Sequence, residues 1–255
     1  MNSTAKAWNR RKIFYGDSHV LAYEINHDQI LGRNTFDEKR QLVFQYGLHN
    51  AILLWNKKMG RATSMPVFDF IHQRLPDSYP VLYHEDAIIR ANGAMSMDYL
   101  YLQLVNDYNN KELIPHEDSL YIGVCRPTRT FKLTDTGRFD FAHEDFTGGN
   151  SHLSDIQYAV NWALSIQAII DFCIQKDFKF KFIKHFPLFK KTDAPIKHMD
   201  LKHRPKYMDL FMRVVSDMQK YCIHRRLDEF GGRLGFWHTD AEGHRLFAEY
   251  LKNNP

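Results

Sequence analysis

At 255 residues, with 44% hydrophobic and 14% aromatic content and a formal charge of +4, the chain has enough apolar material for the core of one globular domain and too little charge bias for a disordered or strongly polyanion-seeking protein. No apolar run approaches the length of a membrane span, and the segment 1–12 carries Lys6, Arg10, Arg11 and Lys12 with no apolar stretch behind them, so neither a spanning helix nor a cleaved signal peptide is expected. The three cysteines, Cys125, Cys173 and Cys222, are far apart and form no Cys-x-x-Cys pattern, which argues against a disulfide framework or zinc knuckle and predicts free thiols in a chain synthesised in the cytoplasm.

In chain order, Lys12-Ile13-Phe14-Tyr15 reads as a short buried strand that stops at Gly16, and Asp17-Ser18 follows as a turn and cap with a hydroxyl at the edge of a sheet. Thr35-Phe36-Asp37-Glu38 is a capping box, and Val43, Gly47, Ala51 and Leu54, widened by Leu42, Tyr46 and Leu53, predict a helix ending near Gly60. Residues 61–80, with Pro66, Pro76 and Pro80, predict a loop around a short helix over 67–75. A second strand, Ala87 to Ala91, runs into the turn Asn92-Gly93 and a helix over 97–109. A third strand, Ser119 to Cys125, precedes the turn Arg126-Pro127-Thr128, and the polar residues 132–150 predict a loop excursion.

Ser154-Asp155-Ile156-Gln157 opens a long amphipathic helix through Cys173, and Phe178 to Lys184 alternates with period two as a strand with one wet face. A basic, proline-containing loop follows at 186–206. The cationic run Lys179 to Lys206 could meet an anionic surface, but a solvated loop and strand edge is favoured because no nucleic-acid-binding module accompanies it. Met208, Phe211, Val215, Met218 and Cys222 trace another helix. The chain closes with Gly231 to His238 and a capping box, Thr239-Asp240-Ala241-Glu242, that opens a last helix through Leu251, with His244 on a helix face.

Strands alternating with helices predict a single domain over 1–255, an α/β/α three-layer sandwich with a mainly parallel central sheet. In such a sheet the turns after the strands' carboxyl ends converge on one rim, and Ser18, Asn92-Gly93, Arg126 to Arg129 and His238 all fall in such turns. A serine needs a base to become nucleophilic, and an imidazole is suited to that task, so Ser18 and His238 form a candidate pair. Backbone amides of Ser18 and Gly93 at helix starts are candidate oxyanion donors. Arg126 and Arg129 are candidates for gripping an oxyanion, carboxylate, sulfate or phosphate, with Asn92 beside them. The histidines His143, His152, His238 and His244 lack a ligand set at metal-binding spacing, and neither metal nor cofactor is expected.

These pieces resemble the SGNH (GDSL-like) hydrolase family: Phe14-Tyr15-Gly16-Asp17-Ser18 its first block, Asn92-Gly93-Ala94 its second, and His238 to His244 with Arg245 to Glu249 its last, in the family's order along the whole chain. The resemblance implies a flavodoxin-like three-layer fold and a serine esterase or acyl-hydrolase working through an acyl-enzyme, with Ser18 as nucleophile, His238 as base and Gly93 as oxyanion donor. Two positions depart from the pattern. The family's third block supplies an oxyanion-binding Asn, whereas this strand ends Cys125-Arg126-Pro127, and the aspartate usual three residues before the histidine is here Gly235. The histidine's orienting group would then come from Asp228, Glu229, Asp240 or a backbone carbonyl.

The expected substrate is a small ester or an acylated glycan, for instance a carbohydrate O-acetyl group, and acyl transfer to another acceptor would use the same chemistry. The alternative is a catalytically impaired protein of the same fold serving as a binding or structural component of a larger assembly. The divergent third block and the aromatic content loosely resemble SGNH-like proteins of bacterial viruses, which would make the chain a virion component.

Overall fold

The structure is a computed structural model that describes residues 11–17, 19–20, 42, 45–46, 50, 53–54, 57, 78–91, 95–127, 129–133, 139–143, 155–185, 204–234 and 238–254, the side chains of 132–133, 139–143, 155–156, 204–208, 233–234 and 238 excepted. In chain order the elements are β1 (Arg11–Gly16), α1 (Tyr79–Tyr83), β2 (Ile88–Ala91), α2 (Met97–Asn109), β3 (Asp118–Gly123), β4 (Arg129–Leu133), β5 (Phe139–His143), α3 (Asp155–Gln175), β6 (Lys179–Ile183), α4 (Arg204–Gln219), β7 (Arg233–Leu234), β8 (His238–Thr239) and α5 (Ala241–Asn253). A short 3₁₀ turn, Leu227–Glu229, precedes β7.

Strands β2, β1, β3 and β6 form one sheet in that spatial order, and every pair in it is parallel, with Phe14 opposite both Ile89 and Tyr121 and Ile122 opposite Phe182. Side chains alternate across a strand, so each strand feeds two cores. Ile13, Tyr15, Leu120, Ile122 and Phe182 pack with Leu100 and Leu104 of α2, Trp162, Ile166 and Ile169 of α3, and Phe211 and Met218 of α4. Phe14, Tyr121 and Ile183 face the other way, onto Tyr79 of α1 and Phe247, Ala248 and Leu251 of α5. The sheet therefore lies between two helical layers, which is the α/β/α arrangement that the alternation of elements predicts.

Polar anchors inside these layers are paired. The Arg11 guanidinium holds Asp118 through two bonds of 2.7 and 2.8 Å, fixing the start of β1 to the start of β3. The Tyr15 hydroxyl donates to Asp107 at 2.6 Å. Burial raises the Asp107 carboxyl above its ordinary range, and the same burial with the Asp107 bond raises the Tyr15 phenol, so the phenol keeps the proton that it donates.

Several expectations change. The polar stretch over 132–150, expected as a loop, holds the end of β4 and all of β5, an antiparallel pair in which Phe131 stands opposite Phe141 in register. Pro80 belongs to the first turn of helix α1, where its missing N–H costs nothing, rather than to a loop. Helix α4 ends at Gln219, and Cys222 leaves it to form a parallel bridge with Phe182 beside the sheet edge. The cap of α5 is Asp240, one residue beyond the expected Thr239. Leu42, Leu53 and Leu54 are helical as expected, but Tyr46 and Leu54 are exposed instead of lying on a buried face. The capping box at Thr35, the short helix over 67–75, Ser154 and residues 186–203 of the loop expected over 186–206 lie outside the described residues, and the last three residues of that expected loop, Arg204 to Lys206, instead open helix α4.

Candidate functional site

Because β1, β2, β3 and β6 are parallel, their carboxyl ends share one rim. The chain leaves β1 toward β2 on one side and later builds β3 and β6 on the other, so β1 and β3 flank the topological switch point, where an open α/β sheet leaves a crevice for ligands. Two sequence-predicted turns border it: the one at Asp17 after β1, and the one over Arg126 to Arg129, which follows β3 and the two residues Val124 and Cys125 that the expected strand included.

At the end of β1 the backbone turns sharply. Gly16 has a φ of 156°, and a Cβ there would lie 2.4 Å from Cγ2 of Val20, so a side chain is excluded. Val20 N–H donates to the Asp17 carbonyl at 3.0 Å, and His19 N–H donates to Asp17 Oδ1 at 3.1 Å. Asp17 thus closes the turn with both its backbone and its side chain. Its other carboxylate oxygen accepts from Arg129 Nη1 at 2.7 Å, with the two side chains only 1% and 10% exposed. Arg129 is the first residue of β4, so this buried ion pair fastens the β4–β5 hairpin to the turn after β1.

A second fastening lies next to it. The Thr130 hydroxyl and the Ser96 hydroxyl both donate to Asp98, at the start of α2, and Phe131 packs edge-on against Tyr99 at 5.9 Å. Cys125 N–H meets Met97 Sδ at 3.3 Å while its carbonyl accepts from Trp162 Nε1 at 2.9 Å. The segment from β3 into β4 is therefore held on α2, α3 and the β1 turn at once.

Two histidines complete the described part of the rim. His185, two residues past β6 and 1% exposed, stacks on His19 with ring centroids 5.2 Å apart. Gly123 makes room for it, since a Cβ there would stand 2.6 Å from His185 Cε1. Tyr79 Oη lies 3.1 Å from His185 Nε2, and His185 Nδ1 lies 3.9 Å from Asp17 Oδ1. Full burial beside Asp17 pushes the Tyr79 phenol well above its usual range. Tyr79 therefore keeps its proton, and its hydroxyl shares one hydrogen bond with His185 Nε2 in which either atom can be the donor. The Asp228 amide donates to the His185 carbonyl at 3.1 Å, so the 3₁₀ turn fixes this end of β6.

In the layer that it shares with α1, α5 begins where Asp240 binds two amides, Gly243 N–H at 2.8 Å through Oδ1 and Gly232 N–H at 2.9 Å through Oδ2. A Cβ on Gly231 would fall 2.3 Å from Asp240 Oδ1 and 2.5 Å from Gly243 Cα, so the glycine permits this close approach. His238 follows in β8, whose backbone pairs with Leu234 of β7. Asp240→Ala is expected to cost about 1–2 kcal/mol by removing the cap. Urea denaturation checks this, and an unchanged midpoint would show that the two amides find water instead.

Of the expected site residues, Ser18, Asn92, Gly93 and the side chain of His238 lie outside the described residues. Arg126 is half-buried in the turn after β3. The three candidate orienting carboxylates are engaged: Asp228 with Arg226 at 2.9 Å, Glu229 with Arg225 and Arg226 at 3.2 and 3.0 Å, and Asp240 with its two amides. Sequence reasoning missed His19, His185 and Tyr79. His244, expected on a helix face, is 1% exposed, and its Nδ1 accepts from Tyr79 N–H at 3.1 Å. Among the described residues no group of three His, Cys, Asp or Glu side chains converges as metal ligands would, and no helix is long and apolar enough to cross a membrane.

No family model matches the sequence, and no curated protein is similar to it. Among solved structures, the chain is similar to a lipolytic protein of the G-D-S-L family from Desulfitobacterium hafniense, at 9% identity and a TM-score of 0.43, covering 96% of this chain and 99% of that one. It is also similar to a carbohydrate acetylesterase family member from Sinorhizobium meliloti, at 10% identity and a TM-score of 0.44, covering 96% of each chain. A third likeness is to a GDSL-like lipase from Bacteroides thetaiotaomicron, at 12% identity and a TM-score of 0.39, covering 96% of this chain and 87% of the other.

Proposed function

We propose that the chain is a divergent SGNH-type serine hydrolase that cleaves a small ester or an O-acyl group on a glycan. The observation that carries the reading is the turn after β1: Asp17 is buried, closes the turn and sits at the switch-point rim, one residue before Ser18. A buried carboxylate spent on shaping a turn, at the edge where ligands bind, suits a residue whose hydroxyl has to be held at a fixed angle.

In this reading Ser18 Oγ attacks the acyl carbon as His238 takes its proton. The C–O bond to the leaving group breaks, the alcohol departs with that proton, and water then releases the acid from the acyl-enzyme. The amides of Ser18 and Gly93 donate to the oxyanion, and Asn92 and Arg126 border the substrate. The engagement of Asp228, Glu229 and Asp240 with other partners supports a pair in which a backbone carbonyl orients the imidazole.

His238→Ala is expected to lower turnover of p-nitrophenyl acetate by about 10³-fold or more at pH 7.5 while the protein stays folded. Full activity in this variant would remove His238 from the reaction. A folded wild-type protein without activity on either aryl acetates or acetylated sugars would favour the binding reading of the same fold.

A further inference from the structure

Helix α1 starts at a buried amide. Tyr79 is its first residue and is fully buried, so its N–H is one of the donors that a helix start leaves without an intrahelical acceptor. Ser78 at the cap position makes no side-chain bond to the helix, and Pro80, next in the turn, has no N–H of its own. The acceptor comes from α5 instead. His244 Nδ1 takes the Tyr79 N–H at 3.1 Å, across 165 residues of chain. A backbone amide can only donate, so Nδ1 has to present a lone pair and the imidazole has to be neutral, with its proton on Nε2.

We infer that His244 is an acid-sensitive latch between α5 and α1, closed while its ring is neutral and opened when Nδ1 takes up a proton. Protonation turns the acceptor into a second donor aimed at the Tyr79 amide, so the bond is lost and two buried N–H groups face each other. Tyr79 also reaches the rim, its hydroxyl 3.1 Å from His185 Nε2, so opening the latch loosens the residue that joins α1 to the end of β6. The inference needs neither the nucleophile nor the substrate of the proposed reaction.

The surroundings of the ring oppose a cation. His244 is 1% exposed and lies in the first turn of α5, at the positive end of the helix dipole. From α1 it meets the Tyr79 phenol, ring centroids 5.5 Å apart, which burial keeps protonated and uncharged. Tyr83 and His84 stand at the far end of α1, where the Tyr83 hydroxyl pairs with that of Tyr121. Beyond Tyr79 come His185 and Asp17, and Asp17 is neutralised by Arg129 at 2.7 Å. On α5 the Asp240 carboxylate is spent on the Gly232 and Gly243 amides, and Glu242 pairs with Arg245 on the exposed side. In the 3₁₀ turn beside α5, Asp228 and Glu229 are bound by Arg226 and Arg225. The carboxylates of this neighbourhood are thus engaged with other donors. His185 and the exposed His116 differ, since a proton there meets Asp17 at 3.9 Å or Asp177 at 3.2 Å.

A histidine of the unfolded chain protonates near about pH 6.5, whereas the folded chain holds His244 neutral. The latch therefore stabilises fully above that pH, and its contribution is lost as the pH falls below it. Urea unfolding of the wild type and of His244→Asn, from pH 8 to pH 5, tests this. The asparagine Oδ1 keeps an acceptor near the place of Nδ1 but takes up no proton in this range. The wild-type unfolding constant is expected to rise about 30-fold more than that of the variant across the range, the effect of one extra proton bound on unfolding. Equal pH dependence in the two proteins overturns the inference. Nitrogen-15 NMR of the wild-type histidines, with His244 assigned through the backbone of α5, stands even where the variant fails to fold. The ring is expected as the Nε2–H tautomer at pH 7.5 and still neutral at pH 5.5. A proton on Nδ1 at pH 7.5, or a cation already formed at pH 6 with the Tyr79 amide still protected from exchange, overturns the inference.

Discussion

Ser18→Ala is expected to lower kcat for ester hydrolysis by on the order of 10⁵–10⁶, with secondary structure and thermal midpoint near those of the wild type. On the proposed reading the kinetic effect is large because the Ser18 hydroxyl forms the acyl-enzyme bond. The structural effect is small because the bonds that close the turn come from Asp17, whose carbonyl accepts from Val20 and whose carboxylate accepts from His19. Steady-state turnover alongside circular dichroism separates the two. A folded variant with wild-type turnover would show that the hydroxyl is not the nucleophile.

Asp17→Ala carries the largest expected effect on stability. It strands the Arg129 guanidinium, 10% exposed, without its counter-charge and takes the side-chain acceptor from the His19 amide. Removing one partner of a buried ion pair costs about 3–5 kcal/mol, a large share of the stability of a domain of this size. Most of that cost is the uncompensated charge. The double variant Asp17→Ala with Arg129→Met is therefore expected to be more stable than Asp17→Ala alone, and urea denaturation of the three proteins measures the difference. A loss below about 1 kcal/mol in Asp17→Ala would mean that water reaches the pair in solution.

The central sheet was readable because β1, β2 and β3 hold short apolar runs followed by turn formers and β6 alternates with period two, and the helices because their apolar residues recur at helical spacing. Helix α2 falls where the pattern over 97–109 places it, and β6 shows the alternation of Lys179 and Lys181 outward with Phe182 inward. The hairpin was hidden by its polarity. Arg129-Thr130-Phe131-Lys132-Leu133 and Phe139-Asp140-Phe141 do alternate with period two, but threonines, aspartates and Gly137 between them read as a loop.

The same kind of oversight applies to the site. The rule that picked Ser18 from the turn after β1 also picks His185 from the turn after β6, and Phe182-Ile183-Lys184-His185 carried that signal. His244 stands at the head of the buried stripe Phe247, Ala248 and Leu251, at the spacing of one helix face, so its burial was legible. What no local pattern could provide is the pairing of Asp17 with Arg129, which spans 112 residues and exists only once β4 folds back over the rim. That pair fastens the start of β4 to the turn that ends β1.

Labelling the wild-type protein with a fluorophosphonate, followed by mass analysis of its peptides, tests the central claim most directly. The account predicts a single adduct on the peptide bearing Ser18, absent from Ser18→Ala. A folded wild-type protein that takes up no label, or an adduct that persists in Ser18→Ala, would contradict it.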